Sequence, residues 1–386
     1  MAEMMDIICQ RTANMHTGLK ITDLPCEIIV GVLRALDDIR DLPNALLSCR
    51  YFYTSYKECP TLAFDILISK IDSALMPYCV AVHEASCLPK SRSRSSVKQL
   101  LDTLYDDPSA LSGKLRHMEL SAVLQMSKLH RIIGTLVWAF AYKAWNKFCD
   151  LAPVSPCSYT DLFNHIAKVN FPGLDDDDEY DQIENRRLPD DLSLTSSEVF
   201  RFNRAFYRVA LFFYLFCGQE GESFNQIDVF FSRHSPWVSE QLWCIRHYLK
   251  NRRGEKTVEE MFKSSSHQVR KLLRPFIIKY SDDRFEDGLE QAAEPQWKTV
   301  WDTMTLESSD EDFKALEPKM DTEDTDSGPL RIWKSASTAD STPPPFQCFK
   351  WNDLNREAAY VFWDLARVEK YEMEIIFAAG FDVGVI

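Results

Sequence analysis

The sequence predicts an all-α protein, in which a short N-terminal helical unit precedes a large irregular helical domain with acidic loop insertions. Three observations favour this class. Apolar residues recur at helical spacing in several long stretches, without the alternation that is typical of β-strands. Glycine is scarce, at 12 of 386 residues, which disfavours a turn-rich β architecture. Hydrophobic residues make up 45% of the chain, enough to form a sizeable core.

The first 58 residues contain a tail and a compact helical unit. Residues 1–20 lack the apolar core of a signal peptide and are predicted to be a flexible tail. Residues 21–58 form the unit, and its first helix opens at Leu24-Pro25 because proline is tolerated in the first helical turn. Glu27 then lies near the positive end of the helix dipole. The apolar face of this helix consists of Ile28, Ile29, Val32, Leu33 and Leu36.

A second helix is predicted after a connection that runs from Asp37 to Arg40. Asp41 suits its N-cap, where a side-chain oxygen accepts a hydrogen bond from a backbone amide. The residues from Arg50 to Tyr53 close the unit. The apolar positions of the second helix, at spacing i, i+4 and i+7, are Leu42, Leu46 and Cys49.

Residues 59–386 form the predicted larger domain, with loops at about 88–96, 172–193 and 306–346. The first loop is basic and rich in serine, whereas the other two are acidic. We therefore expect all three to be exposed loops or disordered insertions.

The stretch from Leu194 to Cys217 has the clearest helical pattern of this domain. Thr195 and Glu198 fit a capping box, in which the two side chains bind the free backbone amides of the first turn. The apolar stripe consists of Phe202, Phe206, Val209, Phe213 and Phe216, and the opposite side carries Arg201, Arg204 and Arg208.

Two further helices are predicted towards the C-terminus. One opens at Ser235-Pro236, with proline again in the first turn. The other lies near the end of the chain. The stripe of the first consists of Val238, Leu242, Ile245 and Leu249, and that of the second of Leu354, Ala358, Val361, Leu365 and Val368.

Charge and cysteine usage exclude several classes of function. The net charge of −14 disfavours binding to nucleic acid or to anionic membranes. The 11 cysteines are an odd number without a Cys-x-x-Cys pair, which indicates reduced thiols in the cytoplasm or nucleus. The longest apolar runs, Ile132 to Tyr142 and Val209 to Cys217, are too short to cross a membrane.

The N-terminal unit resembles an F-box. That family has Leu-Pro, an acidic residue and an aliphatic pair, a spaced aliphatic helix, an Asp-Leu helix start, and an ending with cysteine, a basic residue and an aromatic. Here Ser48 stands where the family usually has an aliphatic residue, and the connection after Asp37 is slightly long. The matching residues are Leu24, Pro25, Glu27, Ile28, Ile29, Leu33, Leu36, Asp41, Leu42, Cys49, Arg50 and Phe52.

The resemblance implies a three-helix segment that binds a Skp-family adaptor, which in turn binds a cullin. It also implies that the protein is a substrate receptor of a ubiquitin ligase and not an enzyme. Mutation of Leu24 and Pro25 to alanine is then expected to abolish adaptor binding with the fold intact. The expected adaptor-binding residues are Leu24, Pro25, Glu27, Ile28, Ile29, Val32, Leu33, Leu36, Leu42, Leu46 and Cys49.

Beyond Tyr56 the chain has a looser resemblance to F-box proteins that are abundant in filamentous fungi, carried by Arg201–Cys217, Pro236–Leu249 and Tyr360–Val368. The target protein cannot be inferred, because no leucine-rich repeat or propeller pattern follows the unit. The alternative hypothesis is a helical scaffold, free or bound to the adaptor, without ligase function.

No residue set predicts catalysis, a metal or a cofactor. Cys79, His83 and Cys87 share a helix at spacing i, i+4 and i+8. The outer two would be about 12 Å apart along that helix, too far to bind one zinc ion. The tryptophans and neighbouring aromatics, among them Trp138 and Trp145, are expected to be mainly core residues, with a minority available to line a recognition groove.

Overall fold

The structure is a computed structural model of the chain, and every regular element that it describes is a helix. It describes residues 21–89, 93–151, 192–217, 229–251, 270–272, 274–276, 285–286, 288–291, 324–338 and 353–379. Within these ranges no β-strand occurs, so the predicted all-α class is confirmed. The predicted tail at 1–20 and the loop at 172–191 lie outside them.

The chain divides into two compact units, and each is described by itself. Unit 1 comprises residues 1–76 and 112–127, and unit 2 comprises residues 77–111 and 128–386. In unit 1, a short 3-10 turn at Ile21–Asp23 precedes helices α1 (Cys26–Arg34), α2 (Asp41–Ser48), α3 (Arg50–Glu58) and α4 (Leu62–Ile68).

The remaining helices lie mainly in unit 2, although α5, α7 and α8 each contribute residues to both units. In chain order they are α5 (Met76–Cys87), α6 (Arg94–Asp106), α7 (Pro108–Lys114), α8 (Leu120–Leu151), α9 (Ser196–Phe216), α10 (Pro236–Asn251), α11 (Gly328–Thr338), α12 (Asp353–Glu357), α13 (Leu365–Lys370) and α14 (Met373–Ala379).

Helix α9 is the centre of the unit 2 core. The predicted capping box is present, because Thr195 Oγ1 accepts from the Glu198 amide at 3.1 Å and the Glu198 carboxylate accepts from the Thr195 amide at 3.0 Å. Phe202 stacks on Phe362 with their ring centroids 4.2 Å apart. Helix α10 begins at Pro236 as predicted, and its four stripe residues are buried.

Two of the predicted loops contain helices. Ser93 caps α6 by accepting a hydrogen bond from the Ser96 amide at 3.2 Å, so residues 94–96 are helical and not part of a loop. Helix α11 lies inside the predicted acidic loop at 306–346. Asp324 and Asp326, just before α11, are largely buried against Arg201 of α9. The prediction of a solvated loop is therefore wrong for these residues.

The predicted late helix is also wrong, because the stretch is broken in two places. Ala359 has a φ of 49°, in the left-handed region, and Trp363 and Asp364 are extended. The result is α12, a 3-10 turn at Tyr360–Phe362, and then α13. These breaks expose the Phe362 carbonyl and the Asp364 carboxylate to α9, which an unbroken helix would not do.

Replacement of Gly328 by alanine is expected to lower the free energy of unfolding of unit 2 by about 1–3 kcal/mol. A Cβ at this position would lie 2.5 Å from both the Leu365 amide nitrogen and the Trp363 carbonyl oxygen, so backbone must shift. Gly134→Ala is the matched control, since no atom lies within 4 Å of its added Cβ and alanine favours the helix. Urea denaturation of both variants measures the difference, and equal stability would contradict the expected clash.

Candidate docking surface

Unit 1 has a small core made by one side of its first helices. Ile29 and Leu33 of α1 are buried, and so are Leu42 and Leu46 of α2. Ile39, in the connection between the two helices, is also buried. The four side chains of α1 and α2 belong to the predicted adaptor-binding set, whereas Ile39 does not. The burial of all five within the chain gives them the role of supporting the helices.

A second set of apolar side chains in the same unit faces solvent. Ile28 and Val32 are 52% and 48% exposed and lie four residues apart, on one face of α1. Leu47, near the end of α2, is 86% exposed. Sequence reasoning missed Leu47, although the Leu46-Leu47 pair is a signal, because adjacent residues on a helix cannot both face the same core. We call Ile28, Val32 and Leu47 the apolar surface.

The other predicted residues lie between these two sets. Leu24, Leu36 and Cys49 are half-buried, whereas Pro25 and Glu27 are exposed. Pro25 is the N-cap of α1 and not part of its first turn, and Glu27 lies in the first turn as predicted. Cys49 is extended and separates α2 from α3, so it does not continue the α2 stripe.

The predicted N-cap role of Asp41 is wrong. Arg40 is the N-cap of α2, and Asp41 is the first helical residue. The turn is closed instead by Asp38, whose carboxylate accepts from the Arg40 amide at 2.9 Å and from Arg40 Nε at 2.6 Å. Asp41 retains a favourable position in the first turn, where a negative charge faces the positive end of the helix dipole.

Two long-range polar contacts hold the helices of unit 1 in place. The Tyr51 hydroxyl of α3 donates to the Leu24 carbonyl at 2.6 Å, which fixes the entry to α1. The Arg34 guanidinium pairs with Asp65 of α4 at 2.8 Å.

Unit 2 contains a buried charge network around Arg201, which has no exposed surface. Arg201 donates to Asp324 at 2.7 Å, to the Phe362 carbonyl at 2.7 Å and to Asp364 at 2.6 Å. The pKa of Arg201 is raised, because the attraction of these carboxylates outweighs the lowering effect of burial. The charge is therefore fully compensated inside the core, as buried charges require.

Asp326 and Glu198 extend this network to two neighbouring helices. One Asp326 oxygen accepts from the amides of Gly328 and Leu365, at 2.8 and 3.0 Å, and so binds the N-termini of α11 and α13. Buried Glu198 accepts from Arg367 at 2.7 Å and from the Asp364 amide at 3.1 Å. The capping box of α9 is thereby part of the tertiary packing.

A second buried pair joins α10 to α12. Arg356 donates to Glu240 with two nitrogens, at 2.7 and 3.3 Å, and its guanidinium lies 4.9 Å from the centre of the Trp243 ring. Burial alone would lower the pKa of Arg356, but the Glu240 charge raises it. Paired geometry of this kind orients the side chains strictly.

One polar cluster in unit 2 contains a thiol, a phenol and an imidazole. The Tyr207 hydroxyl lies 2.9 Å from His130 Nδ1 and is hydrogen-bonded to Cys79. Burial raises the pKa of the Cys79 thiol to about 12, so it is protonated at neutral pH and does not offer a nucleophilic thiolate. On the outer side of α5, His83 Nε2 lies 3.8 Å from Cys87 Sγ.

The sequence did not indicate which aromatic side chains belong to the core and which are exposed, and the structure shows this for several of them. Trp145, Trp363 and Tyr207 are buried in unit 2, whereas Trp138 is exposed. The described ranges contain no group of three or more His, Cys, Asp or Glu side chains suited to a metal ion. Nor does any helix in these ranges have the length and apolarity needed to cross a bilayer.

Protein-family models, curated proteins and solved structures gave no match to this chain. The inference of function therefore depends on the residues themselves.

Proposed function

We propose that this chain is the substrate-receptor subunit of a Skp–cullin–F-box ubiquitin ligase. Residues 21–58 bind a Skp-family adaptor, the adaptor binds a cullin, and the helical remainder of the chain holds a target protein. One observation carries the proposal: within the stretch that resembles an F-box, some apolar side chains form a core, whereas those of the apolar surface are exposed.

The division of apolar residues favours a docking role over an ordinary core role. A surface helix that packs only against its own unit carries polar residues on its solvent-facing side. Helix α1 instead carries Ile28 and Val32 there, and α2 carries Leu47. Neighbouring exposed apolar side chains, such as Ile28 and Val32 at i and i+4, are typical of sites that bind another protein.

The proposed mechanism is proximity. A receptor that holds a target next to a ubiquitin-charged enzyme raises the effective concentration of the target lysine and needs no catalytic group of its own.

The double replacement Ile28→Glu with Val32→Glu is expected to weaken binding to the Skp-family adaptor by at least about a hundredfold. Each side chain is already half covered, so loss of its apolar contact costs roughly 1 kcal/mol, and burial of two unpaired carboxylates adds several kcal/mol. Glutamate is a good helix former, so α1 is expected to fold. Co-purification with a tagged adaptor and titration of the purified proteins measure the loss.

Ile68→Glu is the matched control, because Ile68 is another exposed isoleucine of unit 1 that lies outside the F-box-like stretch. This variant should retain adaptor binding, and circular dichroism should show equal helix content in all variants. Undiminished adaptor binding by the folded double variant would refute the proposal. Recovery of the adaptor without a cullin would instead favour the alternative, a scaffold without ligase function.

A further inference from the structure

Helix α8 presents two aromatic side chains to solvent. Trp138 and Tyr142 are 52% and 56% exposed and lie four residues apart. Arg131 and Thr135 precede them at the same helical spacing and are also exposed. We call these four residues the aromatic face; from Arg131 to Tyr142 it is about 16 Å long, at about 1.5 Å per residue.

The aromatic face lies on a basic stretch of an acidic protein. No aspartate or glutamate occurs between Glu119 and Asp150, whereas lysine or arginine occupies positions 128, 131, 143 and 147. Of these, Lys147 is paired with Glu357 at 3.0 Å. The chain as a whole carries a net charge of −14, so this stretch is opposite in sign to the chain as a whole.

Among the aromatic residues of unit 2 that the structure describes, these two are the exposed ones. Phe140, Trp145 and Phe148, on the same helix, are buried. Tryptophan, tyrosine and arginine are the residue types most enriched at the energetic centres of protein interfaces. Arg131, Trp138 and Tyr142 combine all three on one face of one helix.

We propose that the aromatic face binds a segment of a partner protein that combines carboxylates with apolar side chains. The apolar side chains pack against Trp138 and Tyr142, and the carboxylates approach Arg131 and its basic neighbours. Charge complementarity favours such a partner, because a stretch with four basic side chains and no acidic one attracts carboxylates. A second copy of this protein is disfavoured, because two chains that each carry a net charge of −14 repel each other. The role of the aromatic face as the target-binding surface of a ubiquitin ligase rests on the proposed function. The binding of such a peptide to the face does not.

The test uses the full chain and a fluorescein-labelled peptide of about ten residues, in which aspartate and glutamate alternate with leucine and phenylalanine. An extended peptide rises about 3.3 Å per residue and therefore covers the face. Fluorescence anisotropy should show saturable binding that Trp138→Ala with Tyr142→Ala weakens at least about tenfold. Arg131→Glu should weaken binding and reduce its dependence on salt.

Two control variants match these changes. Lys98→Glu alters the net charge as Arg131→Glu does, at an exposed site on α6, and Tyr53→Ala removes an exposed aromatic from unit 1. Both should bind the peptide as the unaltered chain does. A peptide with lysine in place of every acidic residue should bind at least tenfold more weakly.

Three outcomes would overturn the proposal: equal binding by the folded double variant, tight binding of the lysine peptide, or a dimer of the unaltered chain that the double variant dissolves. The last outcome would identify a second copy as the occupant. Ile28→Glu with Val32→Glu should leave peptide binding unchanged, and Trp138→Ala with Tyr142→Ala should leave adaptor binding unchanged. These two variants distinguish a failure of the proposed peptide binding from a failure of the proposed adaptor binding.

Discussion

Replacement of Arg201 by methionine is expected to lower the free energy of unfolding of unit 2 by about 3–5 kcal/mol. Methionine keeps the aliphatic part of the side chain and removes its charge. Asp324 and Asp364 then lose their bonded cation, and the Phe362 carbonyl loses a donor at 2.7 Å. A typical domain has only about 5–15 kcal/mol of stability, so the loss is a large share of the total.

The same substitution at Arg331 provides the matched control. Arg331 also binds two carboxylates, Glu369 at 2.7 Å and Glu374, but it is half-exposed where Arg201 is fully buried. Water and salt screen such a surface arginine, so Arg331→Met should cost about 1 kcal/mol or less. The comparison tests burial as the main cause, because the chemical change is the same and both arginines bind carboxylates, although Arg201 has further partners in Asp326 and the Phe362 carbonyl.

Tryptophan fluorescence during urea denaturation measures both effects in unit 2 alone, because all nine tryptophans of the chain fall within the residues of that unit. A loss at Arg201 no larger than that at Arg331 would show that the buried network contributes little. The Arg201 effect should also persist at high salt, whereas the Arg331 effect should shrink.

Local signals made part of this fold predictable. Thr195 and Glu198 stand three residues apart before an apolar run, and Pro236 can occupy only the first turn of a helix. Both helices begin where these residues indicate, at Ser196 and Pro236. Such signals are legible because all the interacting groups lie within one turn of the chain.

Long-range pairing explains what could not be predicted. Arg201 meets Asp324 and Asp364 across sequence separations of 123 and 163 residues. An arginine beside an apolar stripe has the same sequence pattern whether its partner is water or a distant carboxylate. The acidic stretch before Gly328 suggested a solvated loop for the same reason, since its composition carries no information on the cations that it meets.

The sequence predicts the apolar residues of α1 as one set, but it does not predict which of them are buried and which are exposed. Ile28, Ile29, Val32 and Leu33 form two adjacent pairs, so the sequence pattern makes most of α1 apolar. Which member of each pair faces inward depends on where α2, α3 and α4 pack, and no local pattern determines that. The structure places Ile29 and Leu33 inside and leaves Ile28 and Val32 outside.

Single replacement of Arg356 or Glu240 by methionine is expected to cost about 3–5 kcal/mol, and the double replacement much less than the sum. Either single change leaves an uncompensated charge at a site where both side chains are less than 10% exposed. The double change removes both charges and fills the space with apolar atoms next to the Trp243 ring. The double variant should therefore lie within about 2 kcal/mol of the unaltered chain.

A double-mutant cycle measured by the fluorescence of unit 2 gives the coupling between the two side chains. The double change also removes the Glu240 partner of the Tyr360 hydroxyl, and this loss adds to its cost. If the cost of the double change equals the sum of the two single costs, the coupling free energy between Arg356 and Glu240 is zero. The contact at 2.7 Å then does not stabilise the fold, in spite of its burial. If the double variant is as stable as the unaltered chain or more stable, the ion pair does not add to stability. Its role is then to orient α10 and α12, since some buried ion pairs specify one arrangement of the fold over its alternatives.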